Sequence, residues 1–225
     1  RPVIAAFCIL LWVILTACAS GPASESHPAP PEDSAWMALA EYPRPSAPDT
    51  GWGIHDYTTG IWKPEDPDAF FRELKDRWGF SWYKVLALGY NKTDITAAAR
   101  RQGVEPVIRI YDLQEYPQTE RELHVFRSLI RKYVKAGAYY FELGNEPNID
   151  GDWTVGGTIP NDRIKGICKT WLHVKPIVQE EGGIPIFYAM TPGSAGEFYR
   201  DCMETFREWG QIEEAFAGAA IGIHP

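Results

Sequence analysis

From Gly51 onward the chain alternates between two kinds of segment, and this alternation constrains the fold more than any other feature. Short apolar runs of strand character at 51–55, 82–88, 104–111, 139–143, 184–190 and 219–224 are separated by stretches with apolar residues at helical spacing. The first helix is marked by Asp66 as cap, Pro67 at its opening, Phe70, Phe71, Leu74 and Trp78 on one face, and Gly79 beyond its end. A short helix with Ile95, Ala98 and Ala99 stops at Gly103. A longer one begins with the capping box Thr119 and Glu122 and runs through Phe126, Ile130 and Tyr133 to Gly137. A fourth, from Ile164 through Trp171, is expected to kink or break at Pro176. The fifth carries Phe198, Tyr199, Cys202, Met203, Phe206 and Trp209.

No hairpin signals join the strands, so they are expected to run parallel and to be connected by crossovers. Two architectures suit such a pattern. A doubly wound sheet usually follows its first strand with a Gly-rich phosphate loop, and that position here holds Asp56-Tyr57-Thr58-Thr59-Gly60. A closed barrel gathers its chemistry at the C-terminal ends of the strands, where this chain has His55, Arg109, Asn145 with Glu146, and His224. The expected fold is therefore α/β, a (β/α)8 TIM barrel. Six strands and five helices fall short of the usual eight of each in about 250 residues, so the barrel is read as incomplete and the sequence as cut at both ends.

The residues before Gly51 have a different character. An apolar run at 3–15, too short for the roughly 20 residues of a membrane-spanning helix, suits the core of an export signal. A segment rich in Pro, Ser and Ala then reads as an extended tether. The domain plan is a signal at 1–18, a tether at 19–48 and the barrel domain at 49–225. A net charge of -8 with no clustered Lys or Arg argues against a nucleic-acid partner. Nine Trp and eleven Tyr suit either sugar stacking or a large core.

The fourth strand ends abruptly in Gly144-Asn145-Glu146-Pro147-Asn148, which places an amide and a carboxylate at a strand tip. Together with Ile221-Gly222-Ile223-His224-Pro225 at the end of the sixth strand, Phe141 to Asn148 resembles clan A of the glycoside hydrolases, retaining (β/α)8-barrel enzymes. The resemblance covers roughly residues 51–225 and rests mainly on Asn-Glu-Pro. It implies Glu146 as general acid/base and Asn145 as the group that binds a sugar 2-hydroxyl. Retaining hydrolysis needs a second, ionised carboxylate about 5 to 5.5 Å away. The family places that nucleophile at the end of a seventh strand, beyond the sequence. Leu15-Thr16-Ala17-Cys18 likewise resembles a bacterial lipobox, which implies lipidation of Cys18.

The functional expectation is thus an exported glycoside hydrolase, lipid-anchored to a bacterial membrane of the cell envelope or secreted. It acts on a β-linked oligo- or polysaccharide, has no cofactor and no metal, and has a non-catalytic glycan-binding barrel as its rival. Arg109, His224, His55 and Trp153 are further substrate-binding candidates, each weighed against an ion pair, a satisfied histidine or a packed ring. Glu142 is read as a structural carboxylate paired with Arg or Lys inside the barrel. Asp150-Gly151-Asp152 is read as a solvated turn, because it lacks the further oxygen ligands of a calcium loop. Cys168 and Cys202 are expected as two separate buried thiols, with their pairing left open.

Overall fold

A computed structural model describes residues 42–56, 63–87, 91–110, 120–144, 146, 161–190 and 195–223. The elements run β1 (Gly53–His55), α1 (Pro67–Asp76), β2 (Trp82–Leu86), α2 (Thr93–Arg101), β3 (Glu105–Ile110), α3 (Glu120–Lys135), β4 (Tyr140–Leu143), α4 (Asn161–Glu180), β5 (Ile184–Met190), α5 (Ala195–Glu208), α6 (Ile212–Phe216) and β6 (Ala220–Ile223). All neighbouring strands are parallel, and the six follow one another across a single sheet in sequence order. A doubly wound sheet reverses direction partway; this one does not. The fold is α/β, six strands of an incomplete (β/α)8 barrel.

The register divides each strand into two faces. Tyr83, Val85, Ile108, Phe141 and Phe187 share one face and join the helices in a continuous apolar core. Rings make much of that core. Tyr83 meets Phe71 edge-on at 4.9 Å, and Trp171 meets Phe187 at the same distance. His55, Lys84, Arg109 and Glu142 share the opposite, inward face, because His55 is in register with Lys84, and Arg109 with Glu142. An apolar coat and a polar lining thus follow from one period of two.

Local signals explain most boundaries. Asp66 accepts from Ala69 N at 3.0 Å and Pro67 stands first in α1. Gly103, at φ +73°, ends the turn after α2, and a Cβ there would meet Ser46 at 2.8 Å. Thr119, the expected cap of α3, lies outside the described residues.

Two expectations are corrected. The fourth helix neither ends nor breaks at Pro176 but runs from Asn161 to Glu180. Its last turns are held from outside: Val174 and Val178 are fully buried, Lys175 Nζ donates to the Glu214 carbonyl at 2.6 Å, and Gln179 Nε2 donates to that of Ala217 at 2.9 Å. Tertiary contacts offset the one backbone bond that proline removes. Trp78 stands just past α1 and is 58% exposed, with the Arg77 guanidinium 5.0 Å from its ring centroid. Ahead of β1, Pro45 is buried and the Pro43 carbonyl accepts from Tyr140 Oη at 2.7 Å. The leader, Cys18 and most of the tether lie outside the described residues. Among the described residues no helix is long and apolar enough to cross a membrane.

Candidate functional site at the C-terminal ends of the strands

The inward face is built around one carboxylate. Glu142, on β4, is 2% exposed and stands between two cations: Lys84 Nζ of β2 lies 2.5 Å from Oε2, and Arg109 Nε of β3 donates to Oε1 at 2.6 Å. Charges buried this deeply are tolerated only when paired. Three successive strands each contribute one member, so the cluster ties β2, β3 and β4 together in one register. Burial lowers the pKa of Lys84 to about 8, although Glu142 and Glu146 pull the other way. Lys84 therefore carries an ammonium at neutral pH that sheds its proton more readily than a surface lysine.

His55 closes the row at the end of β1. Its Nδ1 donates to the Asp56 carbonyl at 2.7 Å, which fixes the neutral tautomer and leaves a lone pair on Nε2. Burial, reinforced by the positive charges of Arg109 and Lys84, lowers its pKa to about 4. The ring is neutral at pH 7.

Behind His55, on the helix side, Asp56 forms an ion pair with Lys92, whose side chain is fully buried. Asp56 also accepts from Tyr83 Oη at 3.3 Å and from Leu86 N at 3.4 Å, while Lys92 N donates to Tyr133 Oη at 3.3 Å. This pair braces the end of β1 against the start of α2 and against α3.

Glu146 follows β4 in the loop at its C-terminal end. It is half-buried, and its charge is among those that raise the Lys84 pKa, so its carboxylate lies within electrostatic reach of the cluster. Its φ is 25°, which makes it the one non-glycine residue with positive φ among the described residues. A side chain held in that region is strained, and strain of this kind collects at functional sites.

Of the residues singled out in the sequence, His55, Arg109, Glu142 and Glu146 are brought to one end of the sheet. Asn145, His224, Trp153 and the 150–152 turn lie outside the described residues. Arg109 is engaged by Glu142 and is 6% exposed, so it forms part of the floor rather than an open binding arm. Sequence reasoning missed Lys84, Asp56 and Lys92. The signal for Lys84 was present, since it is the one charge inside the apolar run Trp82-Tyr83-Lys84-Val85-Leu86-Ala87-Leu88. Asp56 and Lys92 sit in loops and gave no such sign. Among the described residues no group of three or more His, Cys, Asp or Glu is arranged to hold a metal ion. A cleft of about 280 Å³ lined by Pro48, Thr50, Lys75, Asp76, Gly79 and Phe80 lies at the opposite end of the molecule, away from these charges.

No family model matches the chain, and no curated protein matches it significantly. Solved structures do share its fold. A D-psicose 3-epimerase determined with D-fructose is 12% identical, with a TM-score of 0.45 over 67% of this chain and 59% of that one. A sugar phosphate isomerase/epimerase from Parabacteroides distasonis is 12% identical, with a TM-score of 0.43 over 79% and 67%. A probable tagatose 6 phosphate kinase from Sinorhizobium meliloti is 14% identical, with a TM-score of 0.44 over 69% and 46%. The chain spans 46% of that kinase and 24% of the carboxyl transferase domain chain of Rhizobium etli pyruvate carboxylase.

These comparisons overturn the glycoside-hydrolase expectation. The solved structures similar to this chain are named as epimerase, isomerase/epimerase, kinase and carboxyl transferase, and none of these is named as a glycoside hydrolase. A carboxylate at a strand tip is shared by barrels of many chemistries, so the short Asn145-Glu146-Pro147 motif could not single one out. What holds is the coarser statement, an α/β barrel-type fold of a kind that enzymes carry.

Proposed function

We propose that this domain is an enzyme that transfers a proton to or from a small polar substrate at the C-terminal ends of its strands, with Glu146 as the group that exchanges the proton. One observation carries the reading. A half-buried carboxylate in a strained backbone conformation stands within electrostatic reach of Lys84, above a buried Lys84–Glu142–Arg109 cluster. Glu146 has the solvent access to meet a substrate that Glu142 lacks. When a base removes a proton next to a carbonyl, negative charge develops on the carbonyl oxygen. Lys84 and Arg109 set a positive potential beneath the position that such an oxygen would take, and they are fixed before substrate arrives. His55, neutral and with Nε2 unprotonated, offers an acceptor for a substrate hydroxyl.

The test uses the full-length protein in D2O with a panel of small hydroxy-carbonyl compounds, including ketoses, aldoses and their phosphates. Proton NMR should show exchange of a carbon-bound hydrogen for deuterium with at least one of them. Glu146→Gln should slow that exchange by about 10²–10⁴-fold without changing the melting temperature. Exchange at an unchanged rate in the variant, or no exchange across the panel with the unmodified protein, would sink the proposal.

A further inference from the structure

Residues 42–50 run as a strap beneath the N-terminal ends of three strands. The Pro43 carbonyl accepts from Tyr140 Oη of β4 at 2.7 Å. Ser46 packs on Gly103, just ahead of β3, and Lys75 Nζ of α1 joins the two by donating to the Gly103 carbonyl at 3.2 Å and to that of Ser46 at 3.4 Å. Asp49 Oδ1 accepts from Ser81 Oγ and from Trp82 Nε1 at the start of β2, each at 3.0 Å, and Arg44 lies 3.6 Å from its other oxygen. From Arg44 to Thr50 only Pro45 is buried, so polar contacts rather than apolar area hold the strap down. Glu105 lies under its middle. It opens β3 in register with Trp82, and its N donates to the Ser81 carbonyl at 2.8 Å. Its side chain is fully buried; Oε2 pairs with Arg100 of α2, while Oε1 has no hydrogen-bond partner among the described residues. Ionised there, the carboxylate carries charge on an oxygen that neither water nor a donor reaches, whereas the protonated form avoids most of that cost.

We propose that the 42–50 strap is a proton-controlled cover over the N-terminal end of the sheet, held shut by neutral Glu105 and released when Glu105 ionises. Release admits water to the buried carboxylate and carries away the negative charge of Asp49, which flanks the same Ser81 and Trp82. Arg100, which also lies over the Tyr139 ring, works the other way by favouring the ionised form. Burial outweighs it, and Glu105 keeps its proton up to about pH 7. The other acids facing this spot do not titrate there. Burial pulls the Asp49 pKa up, but hydrogen bonds from Gly51, Trp82 and Ser81 outweigh that and hold it below its ordinary value, while burial and the Glu105 charge raise Tyr140 to about 12. Because the Glu105 pKa is raised in the closed form, closure is most favoured below about pH 4.5 and is lost progressively as pH climbs toward 7. Trp82 and Tyr140 meet edge-on at 5.5 Å and stand two residues before Lys84 and Glu142 on the same strands, so release reaches the layer beneath the charge cluster.

The experiment labels the tryptophans of the full-length protein with nitrogen-15 and follows indole hydrogen exchange by NMR from about pH 5 to about pH 8, each rate taken relative to the intrinsic rate at that pH. Trp82 reports the strap through its bond to Asp49, and its signal is assigned by its loss in Trp82→Phe. Trp171, fully buried on α4 with Nε1 donating to the Ala215 carbonyl at 2.7 Å, reports opening of the whole domain. Protection of Trp82 should fall by up to about a hundredfold between pH 5 and 7 and level off above, with Trp82 exchanging well ahead of Trp171 throughout. Glu105→Gln should keep Trp82 at its acidic level of protection across the range. Arg100→Met, which removes the counter-charge, should carry the fall past pH 7. If either variant fails to fold, the unmodified protein still decides. Trp82 protection that is constant with pH, a fall that persists in Glu105→Gln, or exchange of Trp82 at the rate of Trp171 overturns the proposal.

Discussion

The two ends of the sheet bury charge in opposite ways. At the C-terminal end, two cations from β2 and β3 converge on one carboxylate from β4, and burial lowers the pKa of Lys84 to about 8 and that of His55 to about 4. At the N-terminal end, Glu105 of β3 is fully buried and paired with Arg100, which reaches in from α2, and burial raises its pKa to about 7. That end is sealed by residues 42–50: the Pro43 carbonyl accepts from Tyr140 Oη, and Asp49 accepts from Trp82 Nε1 and Ser81 Oγ, each at 3.0 Å. One end is closed by backbone and neutral donors, while the other gathers reactive groups. Barrels separate stability from chemistry along the strand axis in the same way.

Removing the charge of Glu142 should break the comparison most severely. Glu142→Gln leaves Lys84 and Arg109 buried together without their counter-ion, and should cost about 3–5 kcal/mol of unfolding free energy. Arg100→Met at the other end should cost less, because the Arg100 side chain is 30% exposed and Glu105 can take up a proton in its place. Urea unfolding of both variants checks the ranking, and an equal loss would mean that the two ends are not distinguished by burial.

The titrations sharpen the same contrast. Glu105 holds its proton more tightly folded than unfolded, so its contribution to stability is complete below about pH 4.5 and falls as pH rises toward 7, by an amount on the order of 3 kcal/mol. His55 has its folded pKa lowered, so its contribution is present above 6.5 and is lost as pH falls toward 4. In the unmodified protein these trends oppose one another. Urea midpoints between pH 4 and 7 should climb with pH in Glu105→Gln and descend in His55→Gln; parallel curves would remove the distinction. The smallest effect is expected away from both ends. Asp66→Ala deletes the cap that accepts from Ala69 N and should cost about 1 kcal/mol, read as a drop in the urea midpoint.

The architecture was legible because its signals are local and periodic. The alternation of two kinds of segment gave six parallel strands in order, and Asp66, Pro67 and Gly103 marked ends that the structure shares. The course of α4 through Pro176 was not legible, because Lys175 and Gln179 bond to backbone carbonyls some 40 residues away. The added helix α6 is five residues long, too short for a periodic pattern to register. Within the site, strand-end position pointed to His55, Arg109 and Glu146, but it could not show that Arg109 is consumed by Glu142. The choice of chemistry rested on a tripeptide, and a tripeptide fixes too little geometry to separate one barrel reaction from another.

The unbroken order of the strands bears on how such a chain acquires its shape. Each new strand docks beside the one made just before it, so no partner has to be awaited from distant sequence. Loop-closure entropy is therefore met in small, successive instalments, and assembly can proceed unit by unit as the polypeptide leaves the ribosome.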